Sequence, residues 1–332
     1  MYKPLDAVVA ITYHCNARCV MCNIWRKKDH QMLDAEIYQK LSPSLRYINL
    51  TGGEPFLRSD LLEIYKRIQA AAPQAQIIFS TNGFLTDHIL EILKKIMVLN
   101  HKVGVRVSID GIGDFHSSLR GIPRAFEKAT ATLEGLKQIG VKNLGIGHTL
   151  MDANTSETPK VYRLAKELGV EFSLALAQNS EHYFEKLDNK IEKIDELKQN
   201  LEFLVRHELK SFAPKRWGRA FFEYGAYQFV AKNKRVLPDG AGIDSCFISP
   251  KGDVYPSDYI NEIMGNLKEN TLDAIWRSEK ASAIRDRIKR EKPIDAWMIC
   301  TLRGSFVKNR WKVLGWAIKN KLKLYSGRPI LE

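Results

Sequence analysis

The sequence predicts an α/β fold: an open, partial (β/α)6 barrel of TIM type, followed by a small α+β domain and a terminal basic helix. Three observations carry this. Strand-like and helical runs alternate over roughly the first 180 residues. Polar or glycine-bearing segments follow the predicted strands one after another. Near residue 240 the alternation gives way to short strands around a tight turn.

Apolar runs at 7–12, 46–50, 76–80, 103–109, 144–150 and 170–176 read as strands, with helical segments at 34–41, 59–72, 86–97, 124–139 and 157–168 between them. Such alternation implies parallel strands joined by helices, and in barrels of this kind the site lies at the C-terminal ends of the strands. Residues 1–180 therefore form the barrel core. Residues 181–239 form a charged, aromatic-rich and helical connection whose Trp217, Phe221, Phe222, Tyr224, Tyr227 and Phe229 are expected to pack on the barrel. Residues 240–303 hold two short strands around Pro250-Lys251-Gly252-Asp253 and a helix near 271–290. Residues 304–332 are a basic amphipathic tail.

The chain has 332 residues, 45% of them hydrophobic, enough for a sizeable core and against disorder. The first residues show no secretory signal pattern, and no apolar stretch approaches the ~20 residues of a membrane span. Five cysteines, three of them clustered, do not read as a disulfide framework. A reducing, cytoplasmic setting is expected. The net charge of +13 is uneven, with eight Lys or Arg residues after Cys300 against one acid, Glu332.

The cluster is Cys15, Cys19 and Cys22, spaced C-x3-C-x2-C. Thiolate is the standard iron–sulfur ligand, so three of them suit three corners of a cubane and leave one iron open. A structural zinc would ask for a fourth protein ligand, and only His14 stands nearby. Further along, Thr51-Gly52-Gly53-Glu54-Pro55 follows the second strand, Ser80-Thr81-Asn82-Gly83 ends the third and Ser108-Ile109-Asp110-Gly111 ends the fourth.

Together these segments resemble the radical S-adenosylmethionine (SAM) enzymes over at least residues 7–180. The resemblance implies a [4Fe-4S] cluster on Cys15, Cys19 and Cys22, with SAM chelating the fourth iron. One electron would cleave SAM reductively to methionine and a 5′-deoxyadenosyl radical, which abstracts a substrate hydrogen. Met21 takes the family's hydrophobic position beside adenine. Gly52, Gly53 and Glu54 match the GGE motif, whose carboxylate suits the SAM ammonium. Asn82, Ser108 and Asp110 match positions contacting ribose or the methionyl part, and Arg120 would reach the SAM carboxylate. Turn capping is the competing role for the polar residues, and an ordinary ion pair for Arg120. Gly145 and Gly147 leave room under adenine; His148 is read as structural. An electron donor such as flavodoxin or ferredoxin is implied. Peptide, sugar or alcohol, and lipid-linked substrates all remain open. No catalytic acid or base is assigned, because a loop-built pocket has no fixed spacing. The alternative is a degenerate iron–sulfur scaffold or partner protein without turnover.

The run from Cys246 through Val254-Tyr255-Pro256, then Gly265-Asn266-Leu267, resembles the SPASM or twitch extension of some radical SAM enzymes. It is a degenerate match: Ser257 stands where a cysteine is usual, and Ala296 where a partner to Cys300 would be. Cys246 and Cys300 alone do not complete a four-ligand cubane. Either the auxiliary cluster is absent, or Asp239, Asp244 or Asp258 assist.

In the tail, Val307, Trp311, Leu314, Ile318 and Leu322 recur at helical spacing among Lys308, Arg310, Lys312, Lys319, Lys321 and Lys323. This suits peripheral contact with an anionic membrane, or a terminal helix docked on the protein with a solvated basic face. Nucleic acid is not the expected partner, since aromatic platforms in a basic groove are not evident.

Overall fold

A computed structural model describes residues 2–29, 31–291 and 296–332. Nine strands form one sheet: β1 (Asp6–Ala10), β2 (Tyr47–Thr51), β3 (Gln76–Thr81), β4 (Gly104–Ser108), β5 (Asn143–Leu150), β6 (Glu171–Leu176), β7 (Ser245–Ile248), β8 (Asp253–Tyr255) and β9 (Gly265–Asn266). Their order across the sheet is β6-β5-β4-β3-β2-β1-β7-β8-β9. The first six run parallel, joined by α1 (Leu61–Ala71), α2 (Thr86–Leu99), α3 (Asp114–Arg120), α4 (Ala125–Gln138) and α5 (Thr158–Glu167). After β6 come α6 (Ile194–Leu209) and α7 (Pro214–Lys232), and after β9 come α8 (Leu272–Arg277), α9 (Glu279–Glu291), α10 (Ile299–Lys308) and α11 (Arg310–Tyr325).

Strand periodicity explains the layering. Ala7, Val9, Ile48, Leu50, Ile77, Phe79, Val105, Val107 and Ile146 alternate onto the face covered by helices and join the main core. The helices meet them with residues at three- and four-step spacing, such as Ile64, Tyr65 and Ile68 of α1 and Ile89, Ile92, Leu93 and Ile96 of α2. Each large aliphatic side chain so buried contributes roughly 1.5–3 kcal/mol. The opposite, concave face is different. Asn49, Ser80, Arg106, Ser108, Gly147 and Ser173 alternate onto it and stay half-buried.

The sequence expectation holds in outline, an α/β fold with a parallel, partly closed barrel, and differs in detail. The segment expected as a helix at 34–41 is a 3-10 stretch, Ala35–Lys40. A short extra helix, α3, precedes α4. The region from 240 onward continues the barrel sheet: β7 pairs in parallel with β1, Ala7 opposite Cys246, and β8 and β9 then add antiparallel. An open barrel leaves β1 as an edge with unpaired backbone groups, and β7 satisfies them. The Pro250–Asp253 turn forms as expected, with Gly252 at φ 92°.

Candidate functional site

The cysteine loop leaves β1 at the C-terminal mouth of the barrel and is fastened on both sides. On one side the amides of Gly53 and Glu54 donate to the carbonyls of Thr12 and His14, each at 2.7 Å. A Cβ on Gly52 would stand 2.3 Å from the Thr12 oxygen, and one on Gly53 2.1 Å from the His14 oxygen. The two glycines are thus required by the close passage of one backbone over another. On the other side the amides of Arg18 and Val20 donate to the Arg120 and Leu119 carbonyls at the end of α3.

This fastening gathers Cys15, Cys19 and Cys22, all half-buried. Amides of Ala17 and Ile24 point at the sulfurs of Cys15 and Cys22, each at 3.5 Å, and Nη1 of Arg120 lies 3.6 Å from the Cys19 sulfur. Burial pushes the thiols of Cys15 and Cys22 up to about 12 and raises that of Cys19, with the neighbouring thiols adding to the rise for Cys15 and Cys22. Three thiols this reluctant to ionise alone are suited to a cationic centre that replaces their protons. Among the described residues no three His, Cys, Asp or Glu side chains converge on a single ion. A cubane asks for no such convergence, since each thiolate takes a different iron.

Around the loop the polar residues are mutually engaged. Glu54 is buried, and its carboxylate accepts from the Thr81 hydroxyl (2.9 Å), the Asn82 amide (2.8 Å) and the Phe56 amide (3.2 Å). Burial still raises its pKa to about 7, against the lowering effect of those bonds. Asn82 donates to Asn16 inside the cysteine loop at 2.6 Å. Asp110 is buried; it accepts from the Thr149 amide (2.7 Å) and pairs with Arg120 Nη2 at 2.5 Å. Ser108 ends β4 on the concave face, half-buried. Met21, Leu119 and Met151 form a small apolar cluster on which Cys19, Cys22 and Ala177 pack. A Cβ on Gly147 would meet only the Arg106 side chain, at 3.8 Å. His148 is enclosed, its Nδ1 on the Ile109 carbonyl and its Nε2 on the Thr158 hydroxyl, and burial lowers its pKa.

Beside the loop, Nε of Arg120 is buried without a hydrogen-bond partner, and so is Oε1 of Gln178 in the strap that covers the loop. A cation donor left unsatisfied next to three thiols fits a polar ligand such as SAM.

Sequence reasoning missed the segment 177–193, which straps the loop down. Tyr183 is buried and its hydroxyl donates to the Gly52 carbonyl at 3.0 Å. Asn189 donates to the Met21 carbonyl, Asn23 to the carbonyls of Phe184 and Glu185, and Lys27 pairs with Glu185 at 2.6 Å. Asn16 was missed too. Nothing in its spacing marks it, because it acts through a partner remote in sequence.

The auxiliary candidates are placed differently. Cys246 is buried on β7 in the main core. Cys300, in the first turn of α10, lies in a second apolar cluster with Tyr13, Phe247 and Tyr255. Nearby carboxylates are already paired: Asp6 with Arg303 at 2.5 Å, Asp244 with Lys308 at 2.9 Å, Asp239 with Arg235 at 2.6 Å. Asp258 is buried, with its pKa raised to about 7 by desolvation. These residues do not supply the four thiolates of an ordinary cubane.

Comparison with known proteins agrees with this geometry. Residues 9–165 match the radical SAM superfamily, and residues 240–301 match SPASM, an iron–sulfur cluster-binding domain. An AdoMet-dependent heme synthase of Methanosarcina barkeri is 28% identical, over 69% of this chain and 67% of that protein. The mycofactocin maturase MftC of Mycolicibacterium smegmatis is 26% identical, over 83% and 71%. Among solved structures, anSMEcpe with bound AdoMet and a peptide superposes with a TM-score of 0.62 at 17% identity, covering 96% of this chain and 99% of the other. Streptococcus suis SuiB bound to its precursor peptide SuiA gives 0.65 at 15% identity, covering 91% and 76%. Residues 9–165 are thus a radical SAM domain, whose cofactors are a [4Fe-4S] cluster and SAM, and residues 240–301 a SPASM-type region.

Proposed function

We propose that this chain abstracts a hydrogen atom from a polar substrate seated on the concave face of its barrel. The observation that carries the proposal is the three-thiol loop, fastened at the mouth of that face between the Gly52–Glu54 turn and α3. When bound, the cluster and SAM supply one-electron cleavage to methionine and a 5′-deoxyadenosyl radical, which takes hydrogen from an unactivated C–H bond.

The chain's own residues would divide the work. Cys15, Cys19 and Cys22 hold the cluster. Met21 provides an apolar seat for adenine. Gly52, Gly53 and Glu54 shape the turn that receives the SAM amino group; Glu54 also aligns Thr81 and Asn82. Ser108 and Asn82 offer ribose or methionyl contacts. Asp110 orients Arg120, whose free Nε–H suits a carboxylate. Tyr183 and the strap exclude water. Beneath them the concave face carries Asn49, Ser80, Ser108 and Ser173, half-buried, with the Ser80 hydroxyl donating to Asn49 Oδ1 at 2.8 Å. These groups favour a polar substrate over a hydrocarbon one. The heme synthase and maturase among the relatives, and the peptide-bound neighbour, leave peptide, sugar or alcohol, and lipid-linked substrates open.

The electron donor would dock on the outer side of the cysteine loop. Arg18 and Arg26 are exposed there on either side of Trp25, at 5.1 and 4.6 Å from its ring, with Lys28 exposed nearby. Such a patch suits an acidic flavodoxin or ferredoxin. The enzyme is read as cytoplasmic and peripheral to an anionic membrane.

The test counts iron and sulfide in anaerobically reconstituted protein and in a Cys15→Ala/Cys19→Ala/Cys22→Ala variant, together with 5′-deoxyadenosine formed from SAM under reducing conditions. Cluster and product in the parent, and neither in the variant, support the reading. A parent that holds its cluster yet forms no 5′-deoxyadenosine overturns it. A cluster surviving in the variant assigns iron to Cys246 and Cys300 with unrecognised co-ligands.

A further inference from the structure

The helix α11 separates two apolar sets that the sequence alone does not distinguish. Val313 and Ala317 are buried, and Trp316 and Leu324 pack against the core. Trp316 stands against Phe221 (5.2 Å) and Tyr224 (4.9 Å) of α7. The docking face is therefore complete without Trp311, Leu314, Ile318 and Leu322. At 3.6 residues per turn those four form the opposite stripe. Trp311 is 71% exposed, Ile318 51% and Leu322 69%. Val307, at the end of α10, extends the stripe, and Phe212 of the α6–α7 turn, 77% exposed, lies beneath the Lys321 ammonium at 3.8 Å.

The charges are arranged about that stripe. By helical geometry Arg310 and Lys321 border one side, Lys312 and Lys319 the other. Among the described residues no carboxylate pairs with any of these four; Lys312 and Lys321 donate only to backbone carbonyls. An apolar ridge with aromatic members between two rows of uncompensated cations matches the boundary between acyl chains and anionic headgroups. No helix among the described residues is long and apolar enough to cross a membrane, so the contact lies in the interface plane.

We infer that α11 is an interfacial anchor. Trp311, Leu314, Ile318 and Leu322, with Phe212 and Val307 beside them, enter the headgroup–acyl boundary of an anionic bilayer, and Arg310, Lys312, Lys319 and Lys321 contact its phosphates and carboxylates. The inference rests on the peripheral-membrane part of the functional reading and on none of its radical chemistry.

The test is flotation of the reconstituted full-length protein with phosphatidylcholine vesicles, with and without phosphatidylserine, at low and high salt. The parent binds the phosphatidylserine vesicles at least about tenfold better than phosphatidylcholine alone, and salt weakens that binding. Trp311→Ser/Leu322→Ser lowers binding about tenfold or more, and each of Arg310→Gln, Lys312→Gln and Lys319→Gln lowers it roughly fivefold. The Trp311→Ser/Leu322→Ser variant keeps the parent's circular dichroism and its rate of 5′-deoxyadenosine formation, so failure of the anchor and failure of the chemistry are read separately. No preference for anionic vesicles, or binding untouched by these substitutions, overturns the inference. So does a dimer in solution that Trp311→Ser/Leu322→Ser splits while the parent ignores vesicles; the stripe is then an interface between two copies.

Discussion

At the scale of single residues, the tightest electrostatic demand in the molecule is Asp110. Its carboxylate is fully buried and meets the buried guanidinium of Arg120 at 2.5 Å. Removing one member of such a pair leaves an uncompensated buried charge. Asp110→Asn should therefore cost on the order of 3–5 kcal/mol in urea unfolding of the apo protein. A loss below about 1 kcal/mol would mean water reaches Arg120 and the pair is solvated. Tyr183 makes a milder demand. Tyr183→Phe removes the hydroxyl on the Gly52 carbonyl and should cost about 1–2 kcal/mol, with the far-ultraviolet spectrum unchanged. Cys15, Cys19, Cys22 and Glu54 stand out in the sequence because residue type and spacing mark them. Tyr183 and Asn16 do not, because each acts through a partner that only folding brings near.

At the scale of elements, the aromatic connection shows how burial was legible and its contacts were not. Gly225 of α7 faces the buried Trp297, whose ring carbon Cζ2 would stand 2.0 Å from a Cβ at that position. Trp297 is held there by its indole N–H on the Phe222 carbonyl at 2.9 Å. Gly225→Ala, which improves helix propensity in isolation, should instead lower stability by roughly 1–3 kcal/mol through overpacking. Thermal unfolding checks this; a raised midpoint would show that Trp297 moves aside freely. Helix α11 teaches the same distinction. Its heptad-like spacing identifies an apolar stripe in sequence, but only packing shows that Val313, Trp316 and Ala317 dock and that Trp311, Ile318 and Leu322 do not.

At the scale of the whole molecule, buried titratable groups give opposing dependences on pH. Desolvation raises Asp6 to about 6, and Glu54 and Asp258 to about 7. The fold thus keeps protons that the unfolded chain has released above pH ~4, so these groups stabilise at low pH and that contribution fades as pH rises through about 7. Burial lowers His116 to about 3 and His182 to about 4, so their contribution is present above about pH 6.5 and is lost as pH falls. The two sets oppose each other in mildly acid solution, and the carboxylates act alone just above pH 6.5. Stability of the apo protein should fall there. Asp258→Asn should gain on the parent as pH rises from about 4 to about 7, by on the order of 2–4 kcal/mol. A difference that does not vary with pH would show that Asp258 is ionised in the fold.

Alternating periodicities along the chain are enough to read the parallel α/β barrel, and residue type and short spacing are enough to single out three cysteines and a Gly-Gly-Glu turn placed after strands. Both are local properties, set by residue type and short spacing. Other features came only with folding. It joined β7 to the exposed edge of β1, so that the C-terminal region continues the barrel sheet. It made Gly52 and Gly53 the crossing point of two backbones, laid the 177–193 strap over the cysteine loop, and turned one apolar stripe of α11 outward. Those outcomes depend on which distant surfaces meet, and no spacing along a single chain encodes a meeting between segments a hundred or more residues apart.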